Sequence, residues 1–159
     1  MPIVIDDRVI VGGYQKPTWA FRVRRNGNQW TTEDLWENPE IWQFMTNGVM
    51  VGDTVFGLSS RNRGQYFLLD SKSGKTIWTG MPRQAENAAI LRAGGVVFSL
   101  EDDAELMVGR VSGSQVQEVK RYILEAAPDP RRRAWTVGRV VDDGDSAARR
   151  RQPYEKIAG

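Results

Sequence analysis

The chain contains no cysteine and no histidine. Without cysteine there are no disulfides, no thiolate metal ligands and no Cys-His nucleophile. Without histidine there is no imidazole ligand, no Ser-His pair and no imidazole general base. Carboxylates, lysine, tyrosine and serine are what remain for catalysis. No apolar run approaches the roughly 20 residues of a membrane-spanning helix. The opening MPIVIDDRVIVGG has acids where a signal peptide has a basic start and a long apolar core, so it does not read as one. The net charge is only +2, too small to argue for a nucleic-acid partner. What is present, 40% hydrophobic and 26% charged residues in 159, fits one folded domain with a real core.

The most informative stretch is Gln65 to Trp78, QYFLLDSKSGKTIW. Tyr66 to Leu69 is a continuous apolar run of strand length, as expected for a strand covered on both faces. Ser71 to Gly74 is turn material, and Lys75 to Trp78 returns as the partner strand. Upstream, Gly48 to Val51 and Thr54 to Leu58 flank Gly52-Asp53, a second hairpin signal. The polar loop Ser59 to Gly64 joins the two hairpins into a four-stranded meander. The same order recurs near the N-terminus, where Asp7, Gly27 and Trp30 stand at nearly constant offsets from Asp53, Gly74 and Trp78. A third unit runs from Ala89 to Val119, with turns at Ala93-Gly94-Gly95 and Ser112-Gly113-Ser114 and no closing tryptophan. Three four-stranded units with a period in the 40s predict propeller blades, each of which must stack on its neighbours. The predicted fold class is therefore all-β, a partial β-propeller. Its blades are about 2–31, 47–79 and 89–122, its linkers 32–46 and 80–88, with an irregular Arg-rich tail over 123–159.

The stretch VFGLSSRNRGQYFLLDSKSGKTIW resembles the quinoprotein-type (PQQ-like) β-propeller repeat, through Leu69-Asp70, Gly74-Lys75 and Trp78. The first unit keeps Gly27 and Trp30 but has Val23-Arg24 in place of Leu-Asp. The third keeps Gly113 and the apolar pattern. The resemblance covers about 2–122. It implies that the closing tryptophan packs between blades near the turn glycine, where an indole buries a large area and glycine leaves room for it. That role passes to Trp78, Gly74 and Asp70, and more weakly to Trp30 and Gly27. Family propellers usually have seven or eight blades, so three imply a piece of a longer propeller or a protomer that closes by association. Three blades alone leave two open ends.

The family holds quinone-dependent dehydrogenases and non-catalytic scaffolds, among them the outer-membrane assembly lipoproteins. The resemblance thus implies a protein-binding or assembly scaffold with no cofactor. The partners it implies are a protein, further blades or further copies. Its mostly exported membership suggests a periplasmic setting. The alternative is a fragment of a dehydrogenase holding PQQ with calcium, and a weaker one is a carbohydrate- or polymer-binding propeller. The best oxygen cluster for calcium is Glu101-Asp102-Asp103 with Glu105, but consecutive acids in a turn point apart, so a solvated turn is the stronger reading. Asp6-Asp7 likewise reads as a hairpin turn. Arg83, Gln84, Glu86 and Asn87 precede the first strand of the third unit and are the candidates for a channel or binding loop, against an ordinary linker. Arg61, Asn62 and Arg63 suit an acidic partner or a solvated loop. Trp36 and Trp42, flanking Pro39, suit an exposed aromatic surface or packing over a blade edge. No catalytic or metal-ligating residue is assigned.

Overall fold

The computed structural model describes residues 1–124 together with Val140 and Val141. Strands β1 (Ile3–Ile5), β2 (Arg8–Gly13), β3 (Lys16–Asn26) and β4 (Gln29–Asn38) form the first antiparallel sheet in chain order. The second sheet is β5 (Val49–Val51), β6 (Thr54–Ser59), β7 (Gln65–Asp70) and β8 (Thr76–Thr79), again in chain order. The third is β9 (Ala88–Ala93), β10 (Val96–Glu101), β11 (Glu105–Ser112) and β12 (Gln115–Leu124). A short strand, β13 (Val140–Val141), adds to β12 at Ile123 and Leu124. The rest of the Arg-rich segment lies outside the described residues.

The middle sheet shows why its strands are apolar without alternation. Successive side chains of a strand point to opposite faces. Val55, Phe67 and Leu69 turn to one face and join Ile3, Ile10, Ala20 and Ile41 of the first blade and its linker. Phe56, Leu58, Tyr66 and Leu68 turn to the other and join Ala88, Ile90, Val97 and Met107. Both faces of the second blade are therefore core, and the two clusters hold three blades in a row. Fully burying one such side chain is worth about 1.5–3 kcal/mol, so packing of one blade on the next contributes strongly to the stability of each.

The β7–β8 turn is built by Asp70. Its carboxylate accepts from the Ser73 hydroxyl and backbone N–H, both at 2.7 Å, and from the Lys72 N–H at 3.1 Å. The Ser73 hydroxyl first, then the Ser73 and Lys72 amides, hold the Asp70 carboxyl below the usual carboxylate range. A depressed folded-state pKa contributes stability above the unfolded value and loses it as pH falls through the folded one. Asp70→Ala is accordingly expected to lower Tm modestly at neutral pH, with the gap to the parent closing below about pH 4, the unperturbed value. Thermal melts of both chains across pH would check this, and a gap that stays constant into strong acid would refute it.

The first blade departs from the sequence expectation. Its outer hairpin does not end at Trp30: β3 and β4 pair without a break in sheet membership from Thr18↔Asn38 to Asn26↔Gln29, with one bulge after Ala20. Residues placed in the linker, from 32 to 38, are strand, and the connection to the second blade begins only at Pro39. Two threonines, three acids and Leu35-Trp36 over Thr31 to Glu37 show no strand alternation and are compatible with strand or loop; pairing with β3 decides it.

Candidate functional site

The loops that leave β2, β4, β6, β8 and β10 gather along one edge of the stack. Tyr14 of the β2–β3 turn meets Phe44 of the 39–48 connection, ring centroids 4.8 Å apart. Trp42 of that connection carries Arg61 over its ring at 5.0 Å, and its carbonyl accepts the Ser60 N–H at 2.8 Å. The 80–87 connection then crosses from the second blade to the third. The Arg83 N–H donates to the Asn62 carbonyl (3.1 Å) and the Gln84 N–H to that of Gly64 (3.0 Å). Further along, the Glu86 and Asn87 N–H groups both donate to the Asp102 carboxylate at 3.3 Å. The closeness needs Gly64: at φ 87°, a β-carbon there would lie 1.7 Å from the Ala85 carbonyl oxygen. Gln15, Asn62, Arg63, Arg83 and Ala104, all on this edge, also take positive φ without being glycine. Such strain collects where surrounding structure holds a loop in place. The edge exposes Tyr14, Phe44, Met45 and Met81 beside Arg63 and Arg83.

Thus Arg83, Gln84, Glu86 and Asn87 do come together, as a strap tying the second blade to the third. Arg83 and Glu86 are exposed. Gln84 lines a cleft of about 170 Å³ with Trp78, Met81, Met107 and Glu118. Arg61 reaches the carbonyls of Pro39 and Glu40, so it braces the linker.

Beneath the cleft lies a polar cluster that sequence reading missed. The Tyr66 hydroxyl meets the Ser99 hydroxyl at 2.6 Å and donates to Glu101 at 2.8 Å. Arg121 donates to both Glu101 oxygens at 2.7 Å, to Glu105 at 2.9 Å and to Glu118 at 2.9 Å. The Arg121 and Glu101 side chains are 1% and 0% exposed. The solvated turn expected at Glu101 is therefore corrected. The residue ends β10, its side chain turns toward the second blade, and a guanidinium from β12 neutralises it. Burial and then the Glu101 charge push the Tyr66 phenol far above its usual range. Burial raises the Glu101 carboxyl against the pull of Arg121 and Tyr66. Burial also works against the Arg121 charge, but Glu118 and Glu101 outweigh it and keep the group a cation. Glu101, Asp103 and Glu105 bring carboxylate oxygens within 4.8 Å of one another. Arg121 already engages two of the three, standing where a metal ion would supply positive charge. No signal in the sequence paired Arg121 with Glu101, because the whole of β11 and the turns on either side of it lie between them.

The inter-blade tryptophans are also reassigned. Gly74, at φ 71°, faces Trp36: a β-carbon there would fall 2.3 Å from the indole. The Trp36 ring N–H donates to the Ser71 carbonyl at 3.2 Å, and Asn38 donates to Gly74 (2.7 Å) and Thr76 (2.9 Å). Trp36 thus latches the first blade to the second, whereas Trp78 packs toward the third. Trp30 is 67% exposed at the ribbon tip under Arg25, and a β-carbon at Gly27 would meet no other atom within 4 Å, so no indole packs there. The role given to Trp30 and Gly27 is corrected, because lengthening of β3 and β4 carries both beyond the neighbouring blade.

No family model matches the chain, and no curated protein matches it in sequence. Among solved structures it is similar to BamB from Moraxella catarrhalis, with a TM-score of 0.56 and 12% identity over 79% of this chain. The match covers 35% of the BamB chain, so this chain spans about a third of that structure's length. The likeness is one of fold, and with three stacked antiparallel sheets the described residues have the architecture of a partial β-propeller.

Proposed function

We propose that the chain is a non-enzymatic scaffold that binds a protein partner through its loop edge. The observation that carries this reading is that the loops of this one edge expose Tyr14, Phe44, Met45 and Met81 together with Arg63 and Arg83. Aromatics, methionine and arginine are the residues enriched where proteins meet, and here the strap and positive-φ turns hold them in place. The partner is a protein surface with an apolar centre and acidic groups around it. The fold likeness to BamB supports a propeller scaffold, and the resemblance to a family with assembly scaffolds supports the assembly class. The buried ionisable groups fit this reading, since Tyr66, Glu101 and Arg121 are engaged with one another between blades.

A photo-crosslinking residue at Phe44 or Met81 is expected to capture one protein in cells, and the same residue at Asn28, on the ribbon tip, is not. With that protein purified, Arg83→Glu should weaken binding about tenfold, about 1.4 kcal/mol, with Tm unchanged. Equal capture from Asn28, or binding insensitive to Arg83→Glu, would overturn the reading. A spectral change on adding PQQ with calcium would favour the dehydrogenase alternative.

A further inference from the structure

The three blades carry the same cross-strand row at the same register. In the first it is Ile3↔Ile10↔Ala20↔Trp36, and it packs onto the second blade. In the second it is Val49↔Phe56↔Leu68↔Trp78, and it packs onto the third. In the third it is Leu91↔Phe98↔Val108↔Lys120. No fourth blade covers that row among the described residues, and Leu91 is 71% exposed. Where the other two blades carry tryptophan, the third carries lysine.

The receiving rows are equally regular. Trp36 meets the blade whose opposite face is Met50↔Val55↔Leu69↔Thr76. Trp78 meets Arg92↔Val97↔Gly109↔Glu118, and Trp78 and Glu118 line one cleft. The first blade has the same receiving row, Val4↔Val9↔Phe21↔Asp34, with Trp19↔Glu37 beside it. It faces away from the second blade, and Val4 is 68% exposed. Among the described residues the two outermost blade faces are thus a packing row with a cation and a receiving row with two acids.

We propose that the occupant of each open face is a second copy of this chain, seated head-to-tail. The Leu91–Phe98–Val108 row of one copy lies on the Val4–Val9–Phe21 row of the next. Repeating the observed blade-to-blade packing sets Lys120 against Asp34, the register equivalent of Glu118. Glu37, the equivalent of Arg121, lies alongside. Lys120 also makes a contact within its own chain, and the inference uses only its charge and register. The match argues for a copy rather than an unrelated blade, because the substitution at one end is answered by acids at the other. A head-to-tail contact closes as a ring when the rotation permits. This inference rests on the blade register and stands apart from the loop-edge reading.

The test is solution mass by light scattering on the full chain and its variants. The parent is expected at a discrete multiple of the 18.0 kDa chain mass. Asp34→Lys and Lys120→Asp, each placing like charges at every junction, should both drop to the mass of a single chain with an unchanged β spectrum. The double variant should regain the parent mass, a recovery that a folding defect would not produce. Leu91→Lys, at an exposed position, should also yield monomers and guards against either charge variant failing to fold. A folded parent with the mass of one chain, single variants that keep the parent mass, or a double variant that stays monomeric would each overturn the proposal.

Discussion

Replacing Arg121 by methionine is expected to cost the protein about 3–5 kcal/mol, the usual result of leaving a buried charge without its partner. The guanidinium touches three carboxylates, and Glu101 among them has no exposed side-chain surface. Methionine fills a similar volume but donates nothing, so Glu101 must be protonated or drag water between two blades. Urea denaturation would read the loss as a lower midpoint with little change in slope. Replacing both partners, Arg121→Met with Glu101→Leu, should recover much of it, since a well-packed apolar pair is often no worse than a buried ion pair. Tyr66 then loses one acceptor and keeps Ser99. A single variant within about 0.5 kcal/mol of the parent, the range of ordinary surface changes, would show that the cluster is solvated.

Trp36→Ala is expected to cost about 3 kcal/mol, at the low end for truncating a large buried aromatic, because the indole is partly exposed. Trp30→Ala should stay within about 0.5 kcal/mol, since that residue is exposed at the ribbon tip, with Arg25 over its ring at 5.6 Å. Gly74→Ala should behave like Trp36→Ala for two additive reasons. Alanine is strained at φ 71° by about 1 kcal/mol, and its methyl would occupy the indole's place, with overpacking adding about 1–3 kcal/mol. Combining Gly74→Ala with Trp36→Ala should cost less than the sum, because the second change removes what the first collides with. Equal losses at Trp30 and Trp36 would return the latch to the residue that the repeat spacing favours.

The two experiments bear on how much of this site can be read from residues alone. The second blade was legible in full: turn pairs at Gly52-Asp53 and Ser71 to Gly74 bracket strands of the right length, and Tyr66 to Leu69 announces burial on both faces. The third was legible from its glycine turns. In the first, tryptophan and glycine recur at a nearly constant spacing, and that spacing points to Trp30 and Gly27 rather than to Trp36. Strands β3 and β4 run longer than β7 and β8, and the extra length moves Trp30 and Gly27 off the interface. The loop edge was half legible. Arg83, Gln84, Glu86 and Asn87 stood out as polar residues before a strand, but nothing local showed that backbone N–H groups at 83, 84, 86 and 87 would tie two blades together.

By itself, then, the sequence determined the strand-and-turn rhythm, the three four-stranded units among the described residues and the two-faced burial of the middle one. Those properties follow from neighbours in the chain: side-chain alternation, turn chemistry and the freedom of glycine at positive φ. The tertiary structure decided which tryptophan latches the blades, that Glu101 is buried with Arg121, and that the outermost faces of the described blades carry Lys120 on one and Asp34 and Glu37 on the other. Each of these depends on a contact between residues far apart in the chain, or on different faces of the stack. Such contacts are chosen by which side chains meet when the sheets pack, and a linear spacing carries no record of that choice.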